Sequence, residues 1–157
     1  MATTDLLPSV LIGAVASARS MTPMAAISVA RLAHRKTPGR LFLLDHPLFR
    51  FGGLAMGAGE LIGDKMKSAP DRTVTLGLLA RVLSAGIAGA ALAPRGRERT
   101  GAAAAVMTAA PMAYLTLALR KRAMARVGQT ASGLVEDVLV VTAGAAIVAL
   151  VVGRSRS

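Results

Sequence analysis

Long apolar segments separated by short polar or basic stretches are the main pattern of the chain. The segments cover approximately residues 6–33, 47–66, 74–93, 101–119 and 131–152. Most have the length of about 20 apolar residues that a helix needs to cross a bilayer. The pattern predicts an all-α integral membrane bundle of about five helices, folded as a single domain over residues 1–157.

The second segment departs from this pattern. Its uninterrupted apolar part, residues 51–62, would form a helix only about 18 Å long, and a hydrocarbon core is about 30 Å thick. It holds two pairs of small residues at the spacing that lets helix backbones approach closely, Gly53 with Gly57 and Gly59 with Gly63. The segment is therefore either a complete span packed tightly inside the bundle or a re-entrant helix.

The overall composition supports a membrane location. The chain is 54% hydrophobic and 17% charged, with a mean hydropathy of +0.56, and a soluble domain of this size lacks the interior to bury so much apolar surface. We expect it in a bacterial inner membrane. The absence of Cys excludes thiolate metal sites, and both histidines, His34 and His46, fall in one loop. We therefore expect no metal and no cofactor.

The net charge of +11 raises the alternative of nucleic-acid binding. The basic residues, however, form short blocks between apolar segments, which is the arrangement of loops that contact anionic lipid headgroups. With three Phe, one Tyr and no Trp, the chain also has few rings for base stacking. The expected partner is the bilayer and not nucleic acid. The blocks contain Arg31, Arg35, Lys36 and Arg40; Arg95, Arg97 and Arg99; Arg120, Lys121, Arg122 and Arg126; Arg154 and Arg156.

The first segment holds the most informative pair of residues, Arg19 and Pro23. An ionised side chain is costly in hydrocarbon, so Arg19 should face a partner, a cavity or a path for solute. Pro23 has no N–H to donate to the carbonyl four residues earlier, which belongs to Arg19 itself. We predict that this turn is a helix break and the functional centre. Pro111 predicts a second break, in the fourth segment.

An internal repeat relates the two proline-containing segments. Shifting the chain by 88 residues places Gly13-Ala14 on Gly101-Ala102 and Pro23-Met24-Ala25 on Pro111-Met112-Ala113. Each repeat unit would consist of a proline-containing segment and the carboxylate-containing helix that follows it. A single helix lies between the two units, so the second unit would enter the membrane with opposite polarity. Inverted repeats of broken helices are typical of transporters. The alternative is that two alanine-rich spans each happen to contain a proline.

Four carboxylates and a second arginine are the other candidates for a polar site. Glu60 and Asp64 are four residues apart and share a helix face, so we expect a cation between them: Arg19, Arg81 or a transported ion. Glu136 and Asp137 point about 100° apart on a helix, and only one of them can face the same partner squarely. Alternatively, Glu136 and Asp137 only interact with the partial positive charge at the N-terminus of their own helix.

These features favour a small channel or transporter for an ion or small polar solute. Five short spans enclose little interior, so a conducting form should be a homo-oligomer. The alternative is a structural or assembly subunit whose buried charges are paired and transport nothing. No catalytic triad, phosphate loop or HExxH motif is present, so we expect no catalytic residues. A metal-dependent lipid-phosphate enzyme is a third hypothesis. The polar site would comprise Arg19, Glu60, Asp64, Arg81, Glu136 and Asp137.

Three stretches resemble a known family: ARSMTP at 18–23, GELIGDKM at 59–66 and SGLVEDVLV at 132–140. They are similar to bacterial membrane proteins grouped as domain of unknown function 4126. The resemblance implies functional positions at Arg19, Glu60, Asp64, Lys65, Glu136 and Asp137. Ala18 stands where that family commonly has a bulkier residue. The resemblance implies no activity, because the family is itself uncharacterised.

Overall fold

The computed structural model describes residues 3–63 and 75–154, and all regular secondary structure in this part of the chain is helical. The all-α prediction is confirmed, but the described residues contain six α-helices in place of about five because the first apolar segment is divided in two. Short 3-10 helices cover Thr3–Leu6 and Phe42–Asp45. The α-helices are α1 (Leu7–Ala18), α2 (Thr22–Leu32), α3 (Pro47–Gly63), α4 (Thr75–Leu92), α5 (Glu98–Val127) and α6 (Gln129–Arg154).

The division between α1 and α2 occurs before Pro23 and not at its ring. Arg19 caps α1 with an extended backbone, φ −136° and ψ 113°. A new helix then begins at Thr22, with Pro23 in its first turn. Proline is well tolerated there, because its missing N–H has no partner in the first turn of any helix. The expectation of a single helix with a freed Arg19 carbonyl at Pro23 was therefore wrong in detail: the helix has already ended at Ala18.

The second predicted break is absent, because α5 continues through Pro111 without interruption. A proline inside a helix removes one hydrogen bond at a cost of about 3 kcal/mol. A complete break exposes more backbone groups, which need other partners in an apolar surrounding. The nearest residues, 107–115, include no charged side chain that could supply them. Of the two segments aligned by the repeat, only the first is broken, and the repeat stays a prediction.

Three helices, α1, α4 and α5, pack together through small residues. A Cβ added to Gly13 would overlap the backbone carbonyl of Ala105 on α5. Ala105 is fully buried. The Ser9 hydroxyl of α1 donates to the carbonyl of Gly89 on α4, with the two oxygens 2.8 Å apart. Small side chains allow this close approach of helix backbones, so the centre of the core is built from Ala, Gly and Ser.

The other helices are assembled around α2. Gly53 of α3 packs on Ser28, Gly57 of α3 packs on Ala25, and α6 contacts both α1 and α2. The loop after α2 is held against the α4–α5 turn, because the Gly39 N–H donates to the Ala91 carbonyl at 3.0 Å. This contact places the α2–α3 loop and the α4–α5 turn at the same end of the bundle.

Two described helices are long and apolar enough to cross a membrane: α5, and α6 over Gln129–Gly153. Leu7–Ala18 and Gly77–Leu92 are also apolar but shorter. The helix α3 is continuous over its 17 residues, and whether it crosses a membrane completely or is re-entrant stays a prediction.

Enlarging Gly13 should destabilise the fold at the α1–α5 contact. In Gly13→Ala the new Cβ would meet the Ala105 backbone, which cannot move without shifting α5. We expect a loss of about 1–3 kcal/mol in the free energy of unfolding, measured by thermal or denaturant unfolding in detergent. The matched control is Gly59→Ala, because a Cβ at Gly59 meets no atom within 4 Å. Equal effects of the two substitutions would contradict the close packing of α1 on α5.

Candidate functional site: a buried ion network at the helix break

Charged side chains from three other helices meet Arg19 and its neighbours at the break between α1 and α2. The Arg19 side chain is 1% exposed, and its Nη2 forms an ion pair with Oδ1 of Asp137 on α6. Its Nη1 donates to the backbone carbonyl of Glu60 on α3 at 3.3 Å. A buried charge needs this kind of pairing, because desolvation is otherwise too costly. Arg19 therefore links the break to α3 and α6.

The carboxylate of Glu60 caps the N-terminus of α2. Its Oε1 accepts hydrogen bonds from the Ser20 backbone N–H and the Ser20 hydroxyl, both at 2.7 Å. Its Oε2 accepts one from the Met21 N–H at 2.8 Å. The first N–H groups of a helix have no partner within the helix, and its N-terminus carries partial positive charge. The Glu60 carboxylate, on a neighbouring helix, supplies both a hydrogen-bond acceptor and a negative charge at this N-terminus.

The opposite end of the break is held by Arg81 of α4, which is buried. Its Nε donates to the Ser17 carbonyl at 3.0 Å, and its Nη1 donates to the Gly77 carbonyl at 3.0 Å. The Thr116 hydroxyl of α5 also donates to the Ser17 carbonyl, at 3.4 Å. The C-terminus of a helix carries partial negative charge. Each end of the break thus meets a side chain of opposite charge.

Four of the six proposed site residues come together in this way, and we call Arg19, Glu60, Arg81 and Asp137 the ion network. Glu136 has a different described partner: its Oε2 accepts from Nη1 of Arg120 on α5 at 3.0 Å. Neighbouring residues on a helix point about 100° apart, so Asp137 faces the break while Glu136 faces α5. The predicted position Asp64 lies outside the described residues.

Sequence reasoning missed the backbone partners of Glu60. The predicted cation between Glu60 and Asp64 stays a prediction, because Asp64 lies outside the described residues. Among the described residues, the Glu60 carboxylate accepts hydrogen bonds from the Ser20 and Met21 N–H groups and from the Ser20 hydroxyl. A signal for them exists in the sequence, because Ser-Met-Thr-Pro at 20–23 fits the start of a helix, with a polar residue ahead of a proline in the first turn. Arg120 was assigned only to a basic block, and its contact with Glu136 depends on the packing of α5 against α6.

The surroundings of the ion network are mostly apolar. Three cavities of about 520, 570 and 720 Å³ lie between the helices, and aliphatic side chains dominate their linings. The smallest also includes Arg120 and Glu136. Within residues 3–63 and 75–154, no group of three His, Asp or Glu side chains is placed to hold a metal ion. The polar groups described at the break are the paired side chains of the ion network and the backbone groups of the two helix ends.

Comparison of the chain with family models, curated proteins and solved structures finds no match. The resemblance to domain of unknown function 4126 thus stays a prediction, based on the three short motifs.

Proposed function

We propose that the chain is an integral membrane channel or transporter for an ion or small polar solute, located in a bacterial inner membrane. The length and apolar composition of α5 and α6 support insertion. Large apolar side chains on the outer face of α6 also support it, since Val138, Leu139 and Leu150 are each more than 60% exposed. Extensive apolar exposure is typical of a surface that meets lipid or a partner.

The observation that carries the proposal is the position and chemistry of the helix break. By helix rise, α1 is about 18 Å long and α2 about 16 Å, so the break would lie near the middle of a hydrocarbon core about 30 Å thick. Discontinuous helices whose ends face a charged site near the midplane are the binding sites of many transporters. In this chain, Glu60 and Arg81 occupy the two helix ends.

A transported ion would exchange with these internal partners. An anion would replace the Glu60 carboxylate at the α2 N-terminus, and a cation would replace the Arg81 guanidinium at the α1 C-terminus. Either exchange would require α3 or α4 to shift relative to the break. The small-residue faces and exposed apolar side chains would form contacts between copies in a homo-oligomer.

A second candidate function, a structural or assembly subunit, is favoured by the pairing within the ion network. Each of its four members already has a protein partner. In that case, the network fixes α1, α2, α3, α4 and α6 relative to one another, and no solute moves through the bundle.

Measurements of membrane insertion and of ion flux distinguish the channel or transporter from the assembly subunit. We expect the full chain to stay in the membrane pellet after alkaline carbonate extraction; release into the supernatant would overturn both functions. Purified protein in liposomes should then move potassium or chloride, and Glu60→Gln should change the rate about tenfold or more, because charge at the helix end is removed. Glu98→Gln, outside the network, is the control. Protein that inserts and folds but moves neither ion, nor an entrapped small polar solute such as glycerol, would support the assembly role.

A further inference from the structure

A groove of about 570 Å³ lies between α2, α3 and α6, with Arg35 at one end and Thr22 at the other. We call it the α2 groove. Between these ends its described walls are entirely apolar, and small residues such as Ala58, Ala145 and Ala149 leave the space open. Its volume is in the range of about 300–1,000 Å³ that is typical of small-molecule sites.

The charge at the mouth of the groove is positive. The Arg35 side chain is exposed, and among the described residues it has no ion-pair partner. The groove lining, as described, contains no acidic residue. A ligand whose head lies at this mouth should therefore be anionic.

The depth of the groove matches half a bilayer. The groove follows α2 from Arg35, just beyond its C-terminus, to Thr22 at the helix break. The 11 residues of α2 rise by about 16 Å, and one leaflet of a hydrocarbon core is about 15 Å thick. A molecule with its head at Arg35 would thus extend an apolar chain as far as the midplane.

We propose that the α2 groove binds one anionic phospholipid, with its phosphate on Arg35 and one acyl chain between α2, α3 and α6. This inference rests on the proposed membrane location but not on transport. Bound lipid would fill the described space between α3 and α6, beside the α2 N-terminus that Glu60 caps. The site is distinct from the ion network, because no member of that network lines the groove.

The test is native mass spectrometry of the full chain after reconstitution in vesicles that contain equal amounts of phosphatidylglycerol and phosphatidylcholine. We expect one retained phosphatidylglycerol per chain. Arg35→Ala should lower its occupancy about fivefold, because a basic residue at a headgroup contributes about that factor. Lys36→Ala is the matched control, since it removes the same charge one residue away but does not line the groove. The occupancy of phosphatidylglycerol in Lys36→Ala should stay near that in the wild type.

A second pair of variants tests the acyl-chain part of the site. Ala145 lines the groove and Ala143 does not, although both are exposed on α6. Ala145→Phe should fill the groove and abolish retention, whereas Ala143→Phe should not. Equal retention of phosphatidylcholine, or equal effects within either pair, would overturn the proposal. Dissociation of an oligomer by Ala145→Phe would also overturn it, by showing that a second copy occupies the groove. Carbonate extraction of the same variants shows whether a variant that retains no lipid is still inserted in the membrane. Loss of the lipid site can thus be distinguished from loss of insertion.

Discussion

Arg19→Met is expected to lower the free energy of unfolding by about 3–5 kcal/mol, because it leaves the Asp137 carboxylate buried without its ion-pair partner. The Arg19 side chain is 1% exposed and that of Asp137 is 12% exposed, so water cannot replace the guanidinium fully. The effect should appear as a lower yield of folded protein and as a lower unfolding midpoint of the purified chain.

The matched control for this variant is Arg122→Met, which removes an exposed arginine and should change stability by less than about 0.5 kcal/mol. If Arg19→Met were as stable as Arg122→Met, the Arg19–Asp137 pair would be unimportant to the fold.

Glu60→Leu is expected to have the next largest effect, about 2–4 kcal/mol, because the Ser20 and Met21 N–H groups would lose their acceptor inside the bundle. Glu60→Gln should fall between the wild type and Glu60→Leu, since its amide retains one carbonyl oxygen. Hydrogen exchange gives a local measurement: the amides of Ser20 and Met21 should exchange faster in Glu60→Leu, while amides in α5 should change little.

Unchanged exchange at Ser20 and Met21 in Glu60→Leu would show that another group caps α2. A uniform increase in exchange over all helices would indicate general destabilisation and not the loss of a cap.

The helices themselves could be predicted from the sequence, because apolar segments bounded by basic or Gly/Pro-containing stretches determine them locally. The exact position of a helix break could not be predicted from the sequence. Pro23 and Pro111 have similar neighbours in the sequence, yet only the first lies by a break. The difference is that Glu60 and Arg81 reach the backbone groups exposed at 17–21. Those contacts join residues about 40 and 64 positions apart, which no local pattern reveals.

The candidate site was partly predictable for a related reason. The high cost of charge in an apolar segment identified Arg19, Glu60, Arg81 and Asp137 one by one. It could not assign partners, because the direction of each side chain depends on how its helix is rotated against its neighbours. Glu136 illustrates this limit, since a rotation of about 100° separates it from Asp137 and gives it Arg120 as its partner.

The central claim is that charges from separate helices meet at the break between α1 and α2. The most direct measurement is a double-mutant cycle for unfolding of Arg19→Met, Asp137→Leu and the double variant. We expect each single substitution to be strongly destabilising and the double variant to be less destabilised than the sum by about 2 kcal/mol or more. Additivity of the two effects to within about 0.5 kcal/mol would contradict the ion network.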